Sequence, residues 1–205
     1  MKRFITTLFI LFCIGAIASP SVAQDDVTLT VFAAASLTDA FTEIGAAFEA
    51  SRPGVRVSFS FGASSTLATQ IEEGAAHVIY SSANNTQMTS VLDGVHIANM
   101  PRPFARNRLV VITPADNPAG IETLEDLARP GILLGLVIPE APVREYTNTM
   151  LDRMADTTEY GPDYRDAVLA NLISEEANVR QLSAKVALGE LDAGILYSSD
   201  ITPDI

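Results

Sequence analysis

Two short segments place hydroxyl-bearing residues where a strand pattern gives way to a helix pattern: Ala33-Ala34-Ala35-Ser36 and Gly62-Ala63-Ser64-Ser65. Small side chains there leave the backbone open. A helix start presents unpaired N–H groups and roughly half a positive charge, and a serine hydroxyl adds one more donor. Such a start binds an anion without lysine or arginine. Either serine alone is read more simply as a helix cap, the commonest work of serine at that position. Two in equivalent positions, each following a core strand of the same sheet, point to one crevice where both helix starts converge.

Other chemistry finds less support. Ser64 as a hydrolase nucleophile with His77 or His96 as base is the rival from another class, but Gly62-Ala63-Ser64-Ser65-Thr66 lacks the second glycine of a nucleophile elbow, and neither histidine has a triad context. The same histidines and nearby acids show no metal-ligand spacing.

The elements that must position the serines follow from periodicity. Val27 to Phe32 reads as a buried strand, and Ser36 opens a helix with Leu37, Phe41, Ile44 and Phe48 on one face and Asp39 completing a capping box. Arg52-Pro53-Gly54 ends it, and Val55, Val57, Phe59 and Phe61 alternate as a second strand. Ser64 or Ser65 caps the next helix, with Leu67 and Ile71, up to Gly74. A short strand over His77 to Tyr80 and a helix from Asn84 or Asn85 to about Gly94 complete the first half.

Arg108 to Thr113 is a β-branched strand, followed by a helix capped by Thr123 with Asp126, and Leu133 to Val137 is another strand. Helices follow at about Arg144 to Ala155, Tyr164 to Leu172 and Asn178 to Leu188, and Ala193 to Tyr197 closes the series as a strand. Strands alternating with helices predict mostly parallel sheets, with binding crevices beyond the strands' carboxyl ends.

Composition bounds the partners. The 205 residues carry a formal charge of −12, with 13 basic and 25 acidic residues, so nucleic acid and anionic membrane are poor partners. Lys2 and Arg3, the apolar run Phe4 to Ile17 and the small residues Ser21-Val22-Ala23 read as a signal peptide cleaved after about Ala23; the run is shorter than the ~20 residues that cross a bilayer. The single cysteine, Cys13, lies inside that leader, so the mature chain is expected to have neither disulfide nor thiol chemistry.

FAAASLTDAF (32 to 41) and FGASSTLATQIEEGA (61 to 75) closely resemble the periplasmic molybdate-binding proteins of ABC transporters. QMTSVLDG (87 to 94), FARNRLVVITPADNPAGIETLEDLARPG (104 to 131) and SEEANVRQLSAKVALGELDAGILYSSD (174 to 200) keep the family's order and spacing. The resemblance implies an α/β fold of the type II periplasmic binding protein class: two α/β lobes with mostly parallel sheets and a ligand cleft between them. Residues 24–105 would form the first lobe and 106–198 the second, with 199–205 beginning a return to the first. It implies an extracytoplasmic, non-enzymatic, monomeric solute-binding protein that captures molybdate or tungstate without a cofactor or direct cation site, for a membrane permease; sulfate or a small organic anion is the alternative ligand.

Carried over residue by residue, the resemblance makes Ser36 and Ser64 donors from the first lobe. Val143 and Val179 would give backbone N–H groups, and Tyr197 its phenol, from the second. Several positions depart from the family pattern. Pro142-Val143-Arg144 stands where Pro-Ala-Gly is usual, so that Arg144 would narrow the cleft or add a charge. Val78 and Asn84 replace acidic residues, and Ile138 replaces an aspartate. The resemblance also implies a further strand and helices after Ile205.

Overall fold

The computed structural model describes residues 27–94 and 96–201; the expected leader and its cleavage position lie outside them. β1 (Val27–Ala34), β2 (Val55–Gly62) and β3 (Ile79–Ser81) form one parallel sheet in the order β2-β1-β3. Every residue of β1 pairs with β2, from Val27 with Val55 to Ala34 with Gly62, so the two strands end level and their following helices start side by side. The interior half of β1, Val31–Ala34, is buried.

The serine-rich helix starts are built differently from the predicted caps. Residues Ala35–Leu37 form a 3₁₀ turn before α1 (Thr38–Ser51), and no side chain caps either start. The capping box expected of Ser36 and Asp39 is therefore absent; the Asp39 carboxylate turns outward to Arg180 at 2.6 Å. In α2 (Ser64–Glu72) the cap position is Ala63, and Ser64 is the first helical residue. α1 seats itself through Gly45, where any side chain would collide with the Phe59 ring. Its apolar stripe is left open instead of buried, with Ile44 60 % exposed and Phe48 38 %. α3 (Asn85–Asp93) does carry a side-chain cap: Asn84 accepts from the Gln87 N–H.

The second sheet has the order β4-β7-β5-β6, from β4 (Leu109–Ile112), β5 (Leu134–Val137), β6 (Leu172–Glu176) and β7 (Ala193–Tyr197). Its β5 pairs are parallel, and β4 runs antiparallel to β7. β6 was not anticipated: it offers only Leu172 and Ile173 as apolar residues before Ser174-Glu175-Glu176, a composition tolerated because it sits at the sheet edge. The helix expected from Thr123 is one 3₁₀ turn, Glu125–Ala128, although Asp126 accepts from the Thr123 N–H and hydroxyl as a capping acid should.

α4 (Pro142–Ala155), α5 (Tyr164–Ala170) and α6 (Val179–Ala187) cover this sheet, and their bounds agree with the sequence reading to within two residues. Leu134, Leu136, Leu151, Leu182, Ile195 and Leu196 are 0–1 % exposed. A separate cluster of Phe32, Leu67, Ile71, Tyr80 and Val91 lies under the first sheet. A third cluster joins Ala35 and Ala63 of the first half to Val143, Val179 and Tyr197 of the second, so the two halves share buried apolar surface where the helix starts meet. No helix among the described residues is long and apolar enough to cross a membrane.

Candidate functional site

All five residues singled out from sequence, Ser36, Ser64, Val143, Val179 and Tyr197, line one cavity of about 20 Å³ at the carboxyl ends of the strands. A much larger groove of about 1760 Å³ opens beside it and shares Ser36, Ala83 and Tyr197. The five residues come together only in the small cavity, whereas the groove is lined by Arg102, Arg106 and Arg153.

The cavity is a meeting point of helix starts that each leave a first-turn N–H group free. The cap positions of the 3₁₀ turn, α2 and α4 are Ala34, Ala63 and Ala141, none of which has a side chain able to accept a backbone N–H. Alanine is a poor cap, at about 1 kcal/mol per helix relative to serine or asparagine, and here it keeps the first-turn N–H groups available. In α4 the first residue, Pro142, has no N–H, so the first donor is that of Val143. α6 reaches the same result by another route. Its cap Asn178 takes the N–H groups of Arg180 and Gln181, leaving that of Val179 without an intrahelical partner.

The hydroxyls are held as donors. Ser64, 1 % exposed, accepts from the Ala83 N–H at 2.9 Å, and its carbonyl accepts from the Tyr80 hydroxyl at 2.9 Å. With one lone pair occupied and the backbone pinned, its proton is free for another acceptor. The Ser36 hydroxyl has no partner among the described residues. Tyr197 is buried and its hydroxyl has none either, which costs about 1–3 kcal/mol unless a ligand supplies one. Burial, followed by the nearby Tyr146, Asp200 and Glu145, raises the Tyr197 phenol above its ordinary range, so it keeps its proton.

No charged side chain lines the cavity. Arg144, which the sequence left free to add a charge, turns away: it donates to the Val137 carbonyl at 2.9 Å and pairs with Glu175 at 2.6 Å. It thereby ties the start of α4 to the ends of β5 and β6. Ile138 packs against the shared apolar cluster, and Val78 is 60 % exposed at the edge of the first sheet. His77 bonds the Ala75 carbonyl, and Ser64 has the Ala83 amide as its partner, so no histidine is hydrogen-bonded to that hydroxyl.

The sequence reading missed the groups that cross between halves. Arg180 donates to Asp39 and, at 3.3 Å, to the Ala35 carbonyl; Asn84 Nδ2 donates to Glu145 Oε2 at 2.8 Å, joined by Thr86 Oγ1 at 3.4 Å. Asp39 and Asn84 carried local helix-start signals, which concealed partners 141 and 61 residues away.

Residues 29–204 match the family model described as bacterial extracellular solute-binding protein. The molybdate-binding protein of Mycobacterium tuberculosis is 40 % identical over 173 residues, 84 % of this chain and 62 % of that protein, so the chain spans less than two thirds of this relative's length. Among solved structures, the sulfate-binding protein of M. tuberculosis superposes with a TM-score of 0.71 at 20 % identity, over 83 % of this chain and 64 % of that one. The Azotobacter vinelandii periplasmic molybdate-binding protein gives 0.67 at 20 % identity, over 84 % and 72 %. These likenesses bear out the resemblance carried by the serine segments and the type II binding-protein fold: the chain belongs to the bacterial extracellular solute-binding protein family.

Proposed function

We propose that this chain captures molybdate or tungstate outside the cytoplasm and presents it to the permease of an ABC transporter, with no chemistry on the ligand and without a cofactor. Ser36 and Ser64 from a first lobe (24–105), and Val143, Val179 and Tyr197 from a second (106–198), surround the oxyanion as a monomer closes on it. The observation that carries this reading is the buried, partnerless Tyr197 hydroxyl beside four helix starts, three of which have only an alanine at the cap. Those groups are proton donors awaiting an acceptor, and a fully deprotonated tetrahedral dianion supplies one to each. The 40 % identical relative is named for molybdate binding, which supports the choice of ion. Export through a leader ending near Ala23 and a periplasmic location accord with the family's extracellular description.

Hydrogen phosphate fits poorly, because its proton meets a lining of donors with no carboxylate. Thermal melts in the presence of each anion test the assignment. Molybdate and tungstate at 1,000 times their dissociation constants should stabilise the chain by about 4 kcal/mol, and phosphate should leave the melting temperature unchanged. A shift with sulfate or an organic acid alone would overturn the ligand, and turnover of an ester abolished by Ser64→Ala would overturn the binding-protein reading.

A further inference from the structure

Among the contacts between halves, the one from Asn84 to Glu145 has an unusual chemical economy. Asn84 is 7 % exposed and uses both ends of its amide: Oδ1 accepts the Gln87 N–H at 3.1 Å, capping α3, and Nδ2 donates to Glu145 Oε2 at 2.8 Å. The two bonds orient the amide mutually, since the cap requires an oxygen and the glutamate requires an N–H. Glu145 lies in the first turn of α4, where the helix N-terminus favours a carboxylate, two residues beyond the Val143 donor. Asn84 follows Ala83, whose N–H holds the Ser64 hydroxyl. The bridge therefore joins the segment that orients Ser64 to the helix turn that offers Val143.

We infer that Asn84 is a positioning residue for closure: its neutral amide lets Glu145 be drawn against the start of α3, and the resulting bridge holds the two halves together over a bound oxyanion and sets how long it stays. The inference rests on the proposed oxyanion reading and deepens it. An aspartate at 84 would cap α3 equally well but would set carboxylate against carboxylate at hydrogen-bonding distance. Replacing one amide nitrogen by oxygen thus changes the sign of the bridge and leaves the helix cap intact.

The test compares the wild-type chain, Asn84→Asp and the double variant Asn84→Asp/Glu145→Gln. Molybdate release is followed by stopped-flow fluorescence, and the ligand-free proteins by small-angle scattering and far-ultraviolet circular dichroism. Asn84→Asp should release molybdate about tenfold faster, as loss of one charge-assisted hydrogen bond implies, with unchanged helix content and a larger radius of gyration. The double variant should regain most of both. Unchanged release and radius in Asn84→Asp, or no recovery in the double variant, would overturn the role of Asn84. If the wild-type chain does not bind molybdate, the ligand assignment fails, and the scattering comparison then decides the bridge by itself.

Discussion

The two halves give the cavity similar donors but support them differently. The second half packs a four-stranded sheet under three helices, and Leu134, Leu136, Leu151 and Leu196 are sealed from solvent; Leu182 of α6 is 0 % exposed directly behind the Val179 donor. The first half has a three-stranded sheet, and α1 lies on it with an apolar stripe that stays open, Ile44 being 60 % exposed. Yet Ser64 is as well fixed as Val179. The difference teaches that donor placement depends on where parallel strands hand over to helices, and far less on how much apolar surface each half buries.

The sharpest way to break this contrast is Leu182→Ala, which should cost about 2–5 kcal/mol in urea melts, because the cavity it leaves is walled by the second sheet and α6. A loss below 1 kcal/mol would show that the second half is not the tightly packed one.

Next in size is a pH effect from the end of β7. Asp200 is fully buried, and its carboxyl is pushed up to about 6, chiefly by burial, against the lowering influence of the Tyr197 N–H and Arg180. Its folded pKa lies above the unfolded value near 4, so its contribution to stability is complete below that value and is lost as pH rises through 6. The melting free energy should fall by about 1.3 kcal/mol between pH 5 and pH 7, and Asp200→Asn should flatten that slope. Asp126, held low by the N–H groups of Glu122 and Thr123, titrates below this window and does not offset it.

Tyr197→Phe should separate binding from folding. Removing a buried hydroxyl without a partner should stabilise the ligand-free chain by about 1 kcal/mol and weaken molybdate binding about tenfold, measured by thermal melts and calorimetry. Parallel losses in both would mean that the hydroxyl is satisfied within the protein. The smallest effect is expected of Ile44→Ala, within about 0.5 kcal/mol of wild type, since the side chain is mostly solvated and alanine favours helix. A cost comparable to that of Leu182→Ala would erase the contrast.

Much of this arrangement was legible in the sequence, because short-range signals determine it. The small residues at 33–35 and 62–63 announced open helix starts, and the β-branched runs marked β1, β4 and β5. The family resemblance then supplied Val143, Val179 and Tyr197, which periodicity alone would have left as core residues. What stayed hidden depends on tertiary partners. Asp39 looked like a cap because Ser-x-x-Asp is a local pattern, and only the folded chain brings Arg180 to it. Arg144 looked like a candidate for the anion until β6, an edge strand too polar to recognise, placed Glu175 within its reach.

The charge-free lining also has a kinetic consequence. A chain of net charge −12 repels a dianion over the distance of its own field, while the lining proposed to receive the ion contains no ionic group for dissolved salt to screen. Added electrolyte should therefore quicken the ion's approach and barely alter its escape, the reverse of the behaviour of receptors that draw their anions in with arginine.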